Sequence, residues 1–119
     1  MSTQLPTGNC EPIDLNILKG FSDGDWEIEK NLVAIFVRQT DDNIKTLYTN
    51  RAHIGSVAWS ETAHVLKGSS SSMGADELAR LSDIAQKFSG TAQEQTALFD
   101  RINNEYLSIK DYLRKKDYL

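Results

Sequence analysis

Residues 64 to 74 read HVLKGSSSSMG and combine a nucleophile, a cation and a gap in the side-chain layer. His64 supplies an imidazole, whose neutral ring nitrogen is nucleophilic near neutral pH. Lys67 follows three residues later, and its ammonium could pair with anionic oxygens on a group bonded to that imidazole. Gly68 has no side chain, so a partner's backbone could approach closely there. Together these residues suit a phosphoryl group carried between proteins.

Helical spacing places these residues on one polar stripe, because positions three and four apart are neighbours on a helix surface. The stripe comprises Ser60, Glu61, His64, Lys67, Gly68 and Ser71. The opposite stripe is predicted to be buried and comprises Trp59, Ala63, Leu66, Ser70 and Met73. We therefore expect His64 and Lys67 to face solvent, and Ser60, Glu61, Gly68 and Ser71 to contact a partner.

Three other interpretations of these residues compete with this one. A solitary helical histidine is often ordinary surface, and we assign that role to His53, which lies beside IGS in an interhelix turn. A metal site shared by His53 and His64 is disfavoured, because no further ligand occurs at suitable spacing. The serine run could also be a linker, but the periodicity from Trp59 to Met73 argues against that interpretation.

The elements that position this stripe are all predicted to be helices. Both prolines lie in the first twelve residues, so the rest of the chain can form helices without interruption. A short helix is expected from about Asp14 to Gly20. A long helix should begin near Ser22, Asp23 or Asp25, with a possible kink at Thr40. Its inward residues are predicted to be Leu32, Ile35, Phe36, Thr40, Asn43, Ile44 and Leu47.

Three further helices follow, separated by short turns. The histidine helix should begin between Ser56 and Glu61 and end before Gly74, a good residue for the position after a helix. The next should place Leu78, Leu81, Ile84 or Ala85, and Phe88 on one stripe and end at Gly90. Thr91 should cap the last helix, with Leu98, Ile102, Tyr106, Ile109 and Leu113 facing inward. Short connections predict an all-α, antiparallel up-down four-helix bundle preceded by a short N-terminal helix.

Length, composition and charge narrow the class of protein. The 119 residues fit one domain, predicted to span residues 13–119 after a flexible tail at 1–12. The net charge of −4 argues against a nucleic-acid partner. No signal peptide or membrane-spanning run is recognisable, and the single Cys10 fits a reducing compartment. We expect a cytoplasmic monomer, free-standing rather than a fragment of a hybrid kinase.

The segment AHVLKGSSSSMG resembles the signature of histidine phosphotransfer (HPt) domains of two-component phosphorelays. That signature runs roughly H-x-L-K-G-S-[SA]-x-x-x-G, and seven positions match it in type and spacing: His64, Leu66, Lys67, Gly68, Ser69, Ser70 and Gly74. The similarity extends to most of the chain from Ile13 onward, including FVRQTDDNIKTL in the preceding helix.

This resemblance implies that His64 accepts a phosphoryl group on Nε2 from a receiver-domain aspartate and passes it to another. The implied partners are response regulator receiver domains and a hybrid sensor histidine kinase. Mg²⁺ would belong to the receiver, and the chain would need no cofactor and have no kinase activity of its own. Counting outward from the turn at Gly74 also places Gln86 near His64, and some family members carry a glutamine at this offset.

Two other functions remain open at this stage. The chain could be a non-phosphorylated helical adaptor that binds receiver or kinase domains, although such a protein would be expected to lose His64 first. It could also be a phosphatase or kinase-like domain that dimerises through its bundle. The absence of nucleotide-binding motifs and of a second pair of bundle-forming helices argues against that alternative.

Overall fold

The structure, a computed structural model, describes residues 11–119, which form five α-helices. The helices are α1 (Leu15–Ser22), α2 (Trp26–Asn50), α3 (Val57–Ser72), α4 (Asp76–Gln86) and α5 (Ala92–Lys115). This confirms the predicted all-α bundle with a short helix before it. The predicted flexible tail falls mostly on residues 1–10, which include Cys10 and lie outside the described residues.

Side-chain caps explain where four of the helices begin. Asp14, Asp25 and Ser56 each accept a hydrogen bond from a backbone N–H in the first turn of α1, α2 and α3. Thr91 and Glu94 form a reciprocal capping box at the start of α5. These contacts satisfy N–H groups that have no partner inside the helix, so the helices start at these residues.

The turn between α3 and α4 depends on the backbone at Gly74. Its φ of 76° is the left-handed conformation that glycine adopts without strain. The Ala75 N–H donates to the Ser70 carbonyl at 2.8 Å, and the Gly74 N–H donates to the Ser71 carbonyl at 3.2 Å. This pair of bonds is the Schellman motif that ends many helices. The predicted role of Gly74 is therefore confirmed.

Three local predictions are wrong. Gly20 does not end α1, which continues to Ser22 and terminates at Asp23, with a φ of 53°. The fourth helix ends at Gln86 rather than at Gly90, so Phe88 packs against the core from the following turn. Ile35, predicted to face inward, is 44% exposed. Its neighbour Phe36 is buried instead, because the buried face of α2 follows Val33, Phe36, Thr40 and Leu47, which leaves Ile35 outside that face.

One continuous hydrophobic core lies between the helices. The fully buried side chains come from all five elements and from Ile13 just before α1. The predicted inward residues of α5 are all in this core: Leu98, Ile102, Tyr106, Ile109 and Leu113. Burial of this apolar surface is the main force that assembles the bundle.

Polar contacts fix the antiparallel register of α2 and α5, the two longest helices. At one end, Gln95 Nε2 donates to the backbone carbonyls of Asn50, Arg51 and His53 at 3.1–3.2 Å. At the other, the hydroxyl of Tyr118, just after α5, donates to Glu29 at 2.6 Å. These two anchors hold both ends of the pair, so the α2–α3 connection leaves α2 at a fixed place.

None of the helices within residues 11–119 combines the length and the apolar composition that a membrane span requires.

Candidate functional site

His64 lies near the middle of α3 and its side chain is exposed to solvent. The opposite face of the helix is buried as predicted, through Trp59, Ala63, Leu66, Ser70 and Met73. Burial of that stripe leaves only one rotation of α3 about its axis, and this rotation directs the imidazole outward.

The remaining residues of the polar stripe divide into two groups. Glu61, Gly68 and Ser71 are exposed beside His64, as predicted. Ser60 and Lys67 are only half-exposed, because both contact α4. The predicted solvent face is therefore bordered by the neighbouring helix rather than open on both sides.

Contacts between α3 and α4 set the position of the helix that borders the site. Trp59 Nε1 donates to the Ala85 carbonyl at 2.8 Å, and both residues are buried. The Ser60 hydroxyl donates to the Gln86 carbonyl at 3.4 Å. These bonds fix the C-terminal end of α4 one turn of α3 before His64.

Lys67 forms an ion pair with a residue of α4. Its Nζ lies 2.9 Å from Oδ1 of Asp83, and the two side chains are 43% and 33% exposed. Lys87 also reaches Asp83, with its Nζ 3.2 Å from Oδ1. The sequence pattern marked Lys67 but not Asp83. The count across the hairpin that puts His64 opposite about residue 85 puts Lys67 opposite about residue 82, and Asp83 is the next residue.

Gln86 contacts Ser60, one turn of α3 before His64, and forms no hydrogen bond with His64 in the described part of the chain. Its side-chain Oε1 is buried and has no hydrogen-bond partner among the described residues. Its role toward the imidazole or a phosphoryl group therefore stays a prediction.

Gly68 leaves open space one helical turn after His64. A Cβ built on Gly68 would have no heavy atom of another residue within 4 Å beyond its own helix backbone. The glycine is therefore not required for packing within this chain, in contrast to Gly74. What it provides is room above the helix, on the side where the imidazole is exposed.

The serines that follow have separate structural roles. Ser70 is completely buried, where a small side chain lets the helix pack closely. The Ser69 hydroxyl donates to the Leu66 carbonyl at 3.2 Å, within the same helix. Ser71 and Ser72 are exposed. The run belongs to α3 and is not a linker.

Among residues 11–119, no three His, Cys, Asp or Glu side chains are placed to hold a metal ion. His53 is exposed in the α2–α3 connection, as predicted, and its backbone carbonyl accepts a hydrogen bond from Gln95.

Comparison with known proteins gives this arrangement a family. The model of the Hpt domain matches residues 31–112, which include all of α3 and α4. The chain belongs to the Hpt family. Its role is accordingly histidine phosphotransfer in a phosphorelay, and Hpt proteins are in general carriers rather than enzymes.

The fold of this Hpt chain is also similar to a solved structure, that of histidine-containing phosphotransfer protein B (HptB) from Pseudomonas aeruginosa PAO1. The TM-score is 0.73 at 20% sequence identity, over 92% of this chain and 98% of that one. At this identity the similarity establishes the shared helical fold alone. No curated protein matches the chain significantly.

Proposed function

We propose that His64 is the phosphoacceptor of this Hpt domain, receiving a phosphoryl group from a receiver-domain aspartate and passing it to a response regulator aspartate. One observation carries the proposal. His64 is an exposed imidazole on a rigid helix, with Lys67 on the next turn and open space at Gly68.

The chemistry needs only a neutral imidazole in line with an acyl phosphate. The lone pair of Nε2 attacks phosphorus while the bond to the aspartate oxygen breaks, which returns the receiver's carboxylate. The N–P bond forms, and the ring proton stays on Nδ1. Transfer onward reverses these events with a second aspartate. Catalysis of such a step is mostly positioning and charge stabilisation, and Lys67 can supply a cation on the side of this chain.

The face around His64 also has the composition of a protein-docking surface. Val57 and Val65 are 69% and 57% exposed, and Val57 lies two turns before His64 on the same side of α3. Exposed Glu61 and Ser71 supply polar groups at the edge. Apolar residues with a polar border are typical of protein interfaces. We therefore expect a receiver domain to contact Ser60, Glu61, Gly68 and Ser71 together with these valines.

The proposed division of labour leaves the difficult chemistry to the partners. A hybrid sensor histidine kinase would supply the phosphoryl group through its receiver domain, and Mg²⁺ would act on the receiver. This chain would act as a monomer without kinase activity or a cofactor. Since its partners are intracellular signalling domains, we place it in the cytoplasm.

Phosphotransfer to a His64→Gln variant tests the proposal. A receiver domain charged with acetyl phosphate should label the wild-type chain with acid-labile phosphate, and the variant should acquire none. Its circular dichroism should be unchanged, because His64 is exposed and glutamine is a good helix former.

His53→Gln is the matched control, since it removes the other histidine from an exposed position. It should leave labelling intact. Label retained by His64→Gln would refute the assignment. A wild-type chain that binds the receiver but accepts no phosphate would instead indicate a helical adaptor.

A further inference from the structure

Asp83 connects the candidate site to α4 through two lysines. Its Oδ1 accepts a hydrogen bond from Lys67 Nζ at 2.9 Å, and its Oδ2 accepts one from Lys87 Nζ at 3.3 Å. The bond to Lys67 joins two helices. By contrast, the Arg80–Glu77 and Lys115–Asp111 pairs each lie within one helix and connect neighbouring turns.

The cross-helix bond restricts a side chain that would otherwise be mobile. A lysine has a flexible four-carbon stem, and its ammonium carries three donors. One donor of Lys67 is bonded to Asp83, which leaves two for oxygens of a group on His64. Because Lys67 is three residues after His64 on the same face, the two side chains leave the helix at neighbouring positions. A Lys67 side chain that is held in place before transfer loses less conformational entropy during transfer.

The charges of the cluster formed by Asp83, Lys67 and Lys87 are also compatible with a phosphoryl group nearby. The hydrogen bonds from Lys67 and Lys87 hold the pKa of Asp83 below its usual value, so its carboxyl is ionised at neutral pH. A lone carboxylate near the site would repel a phosphoryl group. With two lysines around one carboxylate, the cluster carries a net positive charge, so a phosphoryl group near it is not repelled.

We infer that Asp83 is a positioning residue for phosphotransfer, which holds the Lys67 ammonium beside His64 in the unphosphorylated protein. The inference rests on the proposed function of His64. It assigns to α4 a side chain that acts on the reaction only through Lys67.

Transfer kinetics in Asp83→Asn test this inference. Asparagine keeps the shape of the side chain but removes the charge, and partly exposed ion pairs contribute modestly. We expect the rate of transfer from a phosphorylated receiver to fall about two- to fivefold. Asp83→Glu should recover most of the loss, since its carboxylate can still reach Lys67. Asp111→Asn is the matched control, because it removes the acid of an exposed pair on α5 and should change nothing.

Two further measurements separate positioning from a general effect on the fold. Lys67→Ala combined with Asp83→Asn should be as slow as Lys67→Ala alone, because Asp83 has no other route to the reaction. In ¹⁵N NMR spectra of the lysine side chains, the Lys67 ammonium should exchange its protons more slowly in wild type than in Asp83→Asn. The exchange rate tests whether Asp83 holds the ammonium, and the double variant distinguishes positioning from a merely structural role, for which the two losses would add.

Specific outcomes would overturn the inference. An unchanged or increased rate in Asp83→Asn would show that the carboxylate does not assist Lys67, or competes with the phosphoryl group for it. An equal loss on the Lys67→Ala background would show that Asp83 acts through the fold. Absence of label in the wild type would refute the proposed function itself, whereas a labelled wild type with an unaffected Asp83→Asn refutes only the positioning role.

Discussion

Two glycines of the histidine helix allow a test in which stability and function move in opposite directions. Gly68 is exposed inside α3, and Gly74 is buried in the turn that follows. We consider replacing each by glutamine, a good helix former with a long side chain. The same substitution then meets open space at one position and a constrained turn at the other.

The magnitudes follow from the local structure. Gly68 has helical neighbours and empty surroundings, so Gly68→Gln should stabilise the protein by roughly 0.5–1 kcal/mol through helix propensity. At Gly74 the left-handed backbone costs a side chain about 1–2 kcal/mol. A Cβ there would also lie 3.0 Å from the Asp14 carbonyl oxygen and 3.1 Å from Ile17 Cδ1, so α1 would have to shift.

The assay is a thermal melt and a transfer time course for each variant. For a domain of this size roughly 1 kcal/mol corresponds to about 4 °C. Gly68→Gln should melt about 2–4 °C higher and transfer poorly, because its side chain covers the approach to His64. Gly74→Gln should melt at least about 4–8 °C lower and, while folded, transfer normally. If Gly68→Gln melts lower and keeps its transfer rate, the glycine serves packing and our account of this face is wrong.

Two other predictions concern a charge and a buried hydroxyl. Lys67→Ala should slow transfer and change the lifetime of phosphohistidine, each by roughly fivefold, which corresponds to about 1 kcal/mol. The melting temperature should not fall appreciably. Unchanged kinetics would make Lys67 an ordinary surface residue. Tyr118→Phe should destabilise the protein by about 1.5–3 kcal/mol, because buried Glu29 loses a charge-assisted hydrogen bond, whereas exposed Tyr48→Phe should not. Burial and the bond to Glu29 raise the pKa of Tyr118 to about 12, so the folded chain keeps a proton that the unfolded chain releases above about pH 10. Stability should therefore fall from about pH 10 to 12, and less steeply in Tyr118→Phe; an identical slope would contradict this assignment.

Local signals predicted the helices because their causes are local. Asp25, Ser56 and Thr91 cap the helices they precede, and the left-handed glycine at 74 ends α3. The errors at Gly20 and Gly90 concern where a helix ends, and the error at Ile35 occurred where periodicity leaves neighbouring positions equivalent. At 35 and 36 two apolar residues compete for one inward direction, and only the packed structure shows that Phe36 takes it.

Polar contacts between distant residues could not be predicted in this way. Glu29 meets Tyr118 across 89 positions, and Gln95 reaches the carbonyl of Asn50 across 45. No periodic pattern marks such pairs, because each depends on the register between two helices. That register cannot be predicted from the sequence pattern. The same limit applies to Asp83, whose distance to Lys67 depends on how far α4 is displaced along the axis of α3.

The precision of the site therefore comes from the two ends of α3 rather than from its helix propensity. An internal glycine and four serines make the segment after His64 a poor helix by itself. At its N-terminal end, Ser56 caps the helix and Trp59 bonds to α4. At its C-terminal end, the Gly74 carbonyl accepts the Asp14 N–H at 3.0 Å, so the turn is fixed to the start of α1. With both ends held by other elements, the middle can keep the small residues that give a partner access to His64.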